Sequence, residues 1–311
     1  MRTPASAVIL AGLAGLAGLA ATSPAQSASP EPTAALDTAA IERLTGAKGA
    51  LDAKEGAFKV SVPRSDLAVT AAGVKMTPPL GLTSWASFKR AGDQTVVMGD
   101  LVLKEDQVNP VMSAALDNGL QVTALHNHFF WDTPKVMFMH IGGSADETTL
   151  ATAVGRVFAR MSETAGGKGE VLKADVDPAR TSLDPKKIEA VLGRTGTLAA
   201  GVYKVVIGRT TRMRGHDMGA TMGVNTWAAF AGSDERAMVD GDFATLESEL
   251  QDVLKALRSA GIDIVAIHQH MTDEQPRIMF LHYWGVGRTE DLARGLKTAL
   301  DHTHHDAPVP R

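Results

Sequence analysis

The chain contains two copies of one sequence module, and this duplication constrains its fold more than any other feature. The segment Ala124–His128 and the later His140 recur 142 residues further on as Ala266–His270 and His282. A gap-free alignment of the 60 residues that end at each of these last two histidines contains 18 identities. A repeat this long, present twice, indicates a duplicated domain and not a solenoid of short units.

The repeat divides the chain into two modules joined by a linker. Module one covers residues 37–163 and module two covers residues 185–301, while the linker of residues 164–184 is rich in Gly, Lys and Asp. Residues 29–36 are predicted to be a disordered lead-in, and residues 302–311 form a His-rich tail. Two modules that arose by duplication can pack on each other as an internal pseudo-dimer with a pseudo-twofold axis.

Each module has the same predicted order of elements. A short helix is followed by runs with alternating apolar residues, which predict strands at Leu67–Thr70, Ser84–Lys89 and Thr95–Leu103 in module one. An amphipathic helix then ends at Gly119 or Gly261, and two histidine-bearing strands precede a closing helix. This order predicts an α+β fold in which helices pack on a mainly antiparallel sheet. It does not predict the order of strands within the sheet.

The histidine spacing predicts metal binding. Residues i and i+2 of a strand point to the same face, and each module has such a histidine pair followed by a third histidine. Three imidazoles suit a divalent transition metal, namely zinc, iron, manganese or copper. The chain has no cysteine, so thiolate ligands are excluded. The predicted ligands are His126, His128 and His140 in module one, and His268, His270 and His282 in module two.

Two further pairs of residues recur close to the histidines. Asp132 and Glu274 occupy the same position in the two modules, and we predict that each is a fourth ligand or a catalytic base. Lys135 and Arg277 follow directly after the turn between the two histidine strands. We predict that these two cations bind an anionic substrate.

The strand spacing limits the three-histidine site. A tight hairpin centred near Trp131 would pair Val136 with about Asn127. His140 would then lie several residues along the strand from His126, and the two imidazoles would meet only if the loop between the strands were longer and asymmetric.

Each candidate residue also has a structural interpretation. Asp100 and Asp242 each follow a glycine, which fits either a turn or bulge or a carboxylate that orients a metal ligand. The histidines can equally line a ligand groove or stabilise the sheet through hydrogen bonds. Two functions therefore remain open: a metal-binding protein, with metal-dependent enzymatic activity as one form of it, and a non-catalytic ligand-binding module of the cell envelope.

The N-terminus predicts export from the cell. Arg2 precedes the apolar run Ala7–Ala21, and small residues follow, as in a secretory signal peptide, here residues 1–28. No other apolar run is long enough to span a membrane, so we expect a secreted, periplasmic or cell-envelope protein without stable membrane insertion. A net charge of −4 argues against a general nucleic-acid binder. The expected partner is a small-molecule or envelope ligand.

The chain resembles the LppY/LpqO family of secreted bacterial proteins, a domain of unknown function. The resemblance rests on Thr123–His128, Asn109–Val111 and Pro276–Gly285, and it covers nearly all of the mature chain. It implies secretion and duplication, but no established activity. Mycobacterial members are lipoproteins, and because this chain lacks the anchoring cysteine, a soluble form is implied. Ile141–Gly143 stands where module two has Tyr283–Gly285, so we expect the two histidine patches to differ.

Overall fold

A computed structural model describes residues 35–166 and 173–304. The predicted signal peptide, most of the lead-in, the middle of the linker and the end of the tail lie outside these residues. The strands of the first half are β1 (Gly49–Asp52), β2 (Ala57–Pro63), β3 (Thr70–Ala71), β4 (Val74–Lys75), β5 (Thr83–Ala91), β6 (Gln94–Lys104), β7 (Gln121–His126), β8 (Asp132–Thr133) and β9 (Val136–Ala145). Those of the second half are β10 (Thr197–Ala199), β11 (Val202–Gly208), β12 (Thr211–Met213), β13 (His216–Met218), β14 (Asn225–Gly232), β15 (Ala237–Leu246), β16 (Asp263–His268), β17 (Glu274–Gln275) and β18 (Ile278–Gly287).

Twelve of the described strands form one continuous antiparallel sheet. Its order is β1-β2-β5-β6-β9-β7-β16-β18-β15-β14-β11-β10, so the second half repeats the order of the first half in reverse. This mirrored order is what a pseudo-twofold axis between β7 and β16 produces. The α+β class and the two tandem modules predicted from the sequence are confirmed, and the two modules share a single sheet.

Six α-helices of the described chain cover one face of this sheet. Their buried residues join those of the sheet in one apolar core that runs through both halves. Gly119 and Gly261 follow the second helix of each half with φ of 79° and 72°, a left-handed conformation that glycine adopts without strain and that ends a helix. The helices are α1 (Thr38–Thr45), α2 (Glu105–Asp117), α3 (Glu147–Glu163), α4 (Pro185–Leu192), α5 (Leu250–Ser259) and α6 (Thr289–Leu300). None of the described helices is long and apolar enough to cross a membrane.

The other face of the large sheet is covered only in part. Two three-stranded sheets, β4-β3-β8 and β13-β12-β17, are the equivalent small sheets of the two halves. Separate apolar clusters lie beneath this region, with Val102, Val136 and Phe138 in the first half and Ile278 and Phe280 in the second. Beyond these clusters the face is open, and we call it the open face.

The predicted strand at Leu67–Thr70 is wrong for most of its length. Only the two-residue strand β3 forms here, at Thr70–Ala71. Leu67 and Val69 are buried in the small apolar cluster of the first half. Their alternating pattern thus reflects packing onto the open face, without strand pairing in the large sheet.

Side chains from the helices complete the seam between β7 and β16. One residue pair, Leu125 with Ile267, is in register across the seam. Asn109 of α2 accepts a hydrogen bond from the amide of Ile264 (2.8 Å) and donates one to its carbonyl (3.2 Å). Gln251 of α5, at the equivalent repeat position, does the same for Val122 at 2.9 Å in both bonds. Each half therefore supplies an amide side chain that satisfies the backbone of the other half.

Candidate metal centre

Strand register places an acidic residue beside a histidine in each half. Asp100 on β6 pairs with His140 on β9, and Asp242 on β15 pairs with His282 on β18. Directly opposed residues of antiparallel strands point to the same face. Both carboxylates consequently lie beside an imidazole on the open face, opposite the helices.

A register shift brings the other histidines to the same place. In the first half, the pairing of β7 with β9 shifts between Val122 and Ala124, so that His126 pairs with Phe138 and Ala124 pairs with His140. The pairing of β16 with β18 shifts at the equivalent position. His126 and His140 thereby become diagonal neighbours on adjacent strands. At His126 the register differs by one residue from that of a tight hairpin centred near Trp131, and this difference puts His126 on the same face of the sheet as His140.

The donors of the second half converge. Asp242, His268 and His270 each offer one ligand atom, and these atoms lie within 4.8 Å of one another. Among the described residues, no other group of three or more such donors has ligand atoms this close together. His282 adjoins it, because its ring centroid lies 4.7 Å from that of His268.

Buried phenylalanines hold one imidazole of each pair. The ring of His128 stacks on Phe138 with centroids 3.5 Å apart, and the ring of His270 stacks on Phe280 at 3.4 Å. Both phenylalanine side chains are buried in the small apolar clusters. His128 and His270 lie beyond the strand ends, so this stacking fixes rings that the sheet itself does not.

The electrostatics of the second half favour neutral imidazoles. Burial lowers the pKa of His268, and His282 and His270 lower it further. Burial also lowers the pKa of His270, although a hydrogen bond that the imidazole donates to the backbone of Gly223 acts in the opposite direction. Neutral imidazoles at neutral pH are the form that binds a metal ion. Burial raises the pKa of Asp242 to about 6, although His282 acts in the opposite direction.

Several donor atoms in these sites lack a hydrogen bond. Asp242 Oδ1, His268 Nε2 and Asp100 Oδ1 are buried atoms without a hydrogen-bond partner among the described residues. Asp242 Oδ2 lies 3.6 Å from His270 Nε2, which is beyond hydrogen-bond distance. Buried polar atoms are nearly always satisfied in native proteins, and a bound cation would satisfy both unpartnered atoms of the second site.

The first half arranges the same donors differently. His126 Nε2 and His140 Nε2 lie 3.0 Å apart and share a hydrogen bond. The Asp100 carboxylate raises the pKa of His128, but burial outweighs it and the net shift is downward. The first site thus contains one satisfied imidazole pair, whereas the second contains an unpartnered imidazole nitrogen.

Asp132 and Glu274 support the turn before the second histidine strand. Asp132 Oδ2 accepts a hydrogen bond from the amide of Val136 at 2.8 Å, and Glu274 Oε1 accepts one from Ile278 at 3.3 Å. Glu274 Oε2 is buried without a hydrogen-bond partner in the described part of the chain. The roles of these residues as fourth ligand or base stay predictions.

Lys135 and Arg277, directly before β9 and β18, form equivalent ion pairs in the two halves. Lys135 Nζ lies 3.4 Å from Glu105 Oε1, and Arg277 Nη1 lies 3.8 Å from Glu247 Oε1. All four side chains are at least half exposed. Their proposed role in binding an anionic substrate stays a prediction.

The sequence repeat contains a signal for the two carboxylates. Asp100 and Asp242 fall at the same position of the repeat, after a glycine in each case. Next to them on the open face, Lys59 lies 4.0 Å above the ring of Trp85, and Lys204 lies 4.0 Å above that of Trp227. Identity between the modules at an acidic position inside a strand marks these two carboxylates more directly than the turn residues.

Comparison with known proteins identifies the family without an activity. No curated protein and no solved structure matches the chain. A family model described as "Domain of Unknown Function (DUF1259)" matches twice, at residues 39–160 and 186–302. These two matches cover more than half of the chain and correspond to the two halves of the sheet, and the chain therefore belongs to the DUF1259 family.

Proposed function

We propose that the second half of the protein binds a divalent transition metal through Asp242, His268 and His270. The observation that carries this proposal is the convergence of their three ligand atoms within 4.8 Å. The unpartnered Asp242 Oδ1 and His268 Nε2 support it, because coordination would satisfy both buried atoms.

The donor set limits the choice of metal. Two imidazoles and one carboxylate suit zinc, iron, manganese or copper, whereas calcium and magnesium prefer oxygen ligands alone. His282, whose ring centroid lies 4.7 Å from that of His268, would be a fourth ligand or would bind a metal-bound water.

The exposure of the site favours a metal that keeps an open coordination position. The side chain of His270 is 35% exposed, while that of Asp242 is 4% exposed. Structural metal sites are closed by four protein ligands, and catalytic sites retain a position for water or substrate. A metal held here would have the open position that activation of water requires.

Metal analysis of the purified, untagged protein tests this proposal. We expect one equivalent of metal at the second site, and a higher melting temperature when zinc or manganese is returned to chelator-treated protein. His268→Ala should remove this equivalent of metal and the part of the thermal shift that it causes. His216→Ala is the matched control, because His216 is an exposed histidine on β13.

An absence of metal binding would support a non-catalytic ligand-binding module instead. If zinc, manganese, iron and copper all leave the melting temperature unchanged and no metal copurifies, the metal proposal is wrong. The histidines would then line a ligand groove in a non-catalytic binding module.

We also propose that the protein is exported and that it is an LppY/LpqO-type member of its family. The apolar run Ala7–Ala21 followed by small residues supports export. N-terminal sequencing of the protein from the medium or cell envelope should find a start near residue 26 or 29. A mature protein that retains Met1 in the cytoplasm would contradict it.

A further inference from the structure

We propose that the first half holds a second metal site, formed by Asp100, His126, His128 and His140, about 14 Å from the first along the open face. This proposal rests on the proposed function of the second half. It makes the protein a carrier of two separate metal ions, one in each module.

Asp100 is a buried carboxylate without a full set of hydrogen bonds. Its side chain is more than nine-tenths buried, and its Oδ1 has no hydrogen-bond partner among the described residues. It pairs directly with His140 across β6 and β9. A buried carboxylate oxygen that lacks a hydrogen bond and lies beside an imidazole has a cation as its natural partner.

The imidazole nitrogens of His126 and His140 lie at a distance that suits two ligands of one metal ion. His126 Nε2 and His140 Nε2 are 3.0 Å apart. Two ligands on one metal at about 2.1 Å each are separated by roughly 3.0 to 3.4 Å, depending on the coordination angle. The hydrogen-bonded pair is therefore already spaced for chelation, and a metal ion would replace the shared proton.

The strand order fixes the separation of the two sites. Each site lies over a central strand, β9 in the first half and β18 in the second, between the strand that carries the aspartate and the strand that carries the histidine pair. β7 and β16 lie between these central strands, so three strand spacings separate the sites, or about 14 Å. Register across the seam places His140 level with Phe280, and Phe138 level with His282, so the two sites are offset by at most two residues, or about 7 Å, along the strands.

This distance decides the kind of metal chemistry. Metals that share a bridging ligand lie about 3.5 to 4 Å apart, and two ions about 14 Å apart cannot. On the strands between, Ala124 pairs with His140 and Ala266 with His282, and the only other imidazoles there, His126 and His268, each belong to their own site. The two ions are thus independent mononuclear centres on one surface.

Copper(II) titration with electron paramagnetic resonance tests the proposal on the full mature chain. To remove copper binding by the tail, every protein in the test carries alanine at His302, His304 and His305. We expect two bound copper ions by elemental analysis, and dipolar broadening of the spectrum that corresponds to about 14 Å between them.

Paired variants separate the two sites. Asp100→Asn with His126→Ala should leave one copper and remove the broadening, and Asp242→Asn with His268→Ala should do the same. His140→Gln, a milder change, repeats the first test if the double variant does not fold, as judged by circular dichroism.

The outcomes distinguish this proposal from the proposed function. One copper in the parent protein, lost only with the second-half variant, overturns the second site and leaves the proposed function intact. One copper lost only with the first-half variant overturns the proposed function instead. Two coppers with broadening that indicates less than about 8 Å would overturn the separate arrangement.

Discussion

Asp242 has a buried carboxylate, and one of its two oxygens accepts no hydrogen bond from the described residues. The residue is 3% exposed, and Oδ1 has no partner in the described residues. A buried polar atom without a partner costs about 1–3 kcal/mol. Such a cost is typical of binding sites, where a residue that destabilises the free protein is satisfied by its ligand.

Asp242→Asn should therefore separate stability from metal binding. The neutral, isosteric amide removes a desolvated charge, so we expect the metal-free protein to gain roughly 1 kcal/mol in its free energy of unfolding. The same variant should lose the stabilisation that metal at the second site contributes. Urea unfolding with chelator and with zinc measures both effects.

The control for this prediction is Asp252→Asn. Asp252 is exposed on α5, on the helix side of the sheet, and we expect a change within about 0.5 kcal/mol. If Asp242→Asn destabilised the metal-free protein, the carboxylate would have a structural role that its contacts do not show.

A second residue pair differs between the halves in charge. Arg209 and Glu249 form a buried bidentate ion pair, with Nη1 to Oε2 at 2.6 Å and Nη2 to Oε1 at 2.9 Å. The equivalent residue to Glu249 in the first half is Gln107, which accepts from Arg64 at 3.1 Å. Arg64 obtains its negative partner from Asp66 instead, at 2.8 Å. Each half thus buries a guanidinium, but its positive charge is balanced by a buried glutamate in the second half and by a partly exposed aspartate in the first.

Glu249→Gln should destabilise the protein by about 3 kcal/mol at pH 7, because it leaves a buried guanidinium without its paired charge. Burial acts to raise the pKa of Glu249, but the hydrogen bonds from Arg209, Leu246 and His304 outweigh it and hold the pKa below its usual value. The stabilisation is therefore present above the unfolded-state pKa of about 4.3 and is lost as the pH falls through the lower folded-state pKa. Urea unfolding at pH 7 and pH 3.5 should show the difference between variant and parent shrinking at the lower pH.

Asp66→Asn is the matched variant in the first half. The Asp66 side chain is 42% exposed, so solvent screens its charge, and we expect a loss of about 1 kcal/mol or less. Equal losses for Asp66→Asn and Glu249→Gln would contradict the assignment of the buried pair as the stronger one.

At the scale of secondary-structure elements, the seam between β7 and β16 depends on two amides from the helices. Val122 and Ile264 pair with β9 and β18, but the seam itself has only Leu125 and Ile267 in register. Gln251 and Asn109 supply the hydrogen bonds that Val122 and Ile264 lack on the seam side. Each amide reaches across to the other half. Gln251 and Asn109 therefore join the two halves by hydrogen bonds that strand pairing alone does not provide.

Gln251→Ala should cost about 2 kcal/mol in the free energy of unfolding, because it leaves the amide and carbonyl of Val122 unpaired. Asn109→Ala should have a similar effect through Ile264, and the two effects should add, since they share no partner. Denaturant unfolding of both single variants and the double variant measures this. Gln121→Ala, on an exposed residue of β7, is the control, and a loss as large as that of Gln251→Ala would contradict the role of the seam.

The sequence predicted these elements better than it predicted their arrangement. The helix that ends at Gly119 and the strand that ends near His126 follow from local apolar spacing, and both are present. The pairing of Asp242 with His282 could not be predicted, because it depends on which strands are neighbours and on their register. The register that puts His126 beside His140 likewise depends on tertiary pairing, so the repeat indicates the candidate donors but not their geometry.

At the scale of the whole molecule, the two halves form one sheet in which neither inner edge is free. β7 would be an edge strand of the first half alone, and β16 of the second half alone. An unpaired edge strand is a template for pairing with another chain. The intact chain satisfies both edges internally, and the core continues from one half into the other.

The second half expressed alone, as residues 173–304, should therefore form a homodimer. A true twofold axis would replace the pseudo-twofold one, so that β16 pairs with its own copy and Gln251 reaches the backbone of Ile264 in the second copy. Size-exclusion chromatography with light scattering measures the mass, and Gln251→Ala in this fragment should shift the dimer towards monomer. A fragment that unfolds cooperatively as a monomer would show that β16 tolerates a free edge, and that the seam joins two domains that are each already stable.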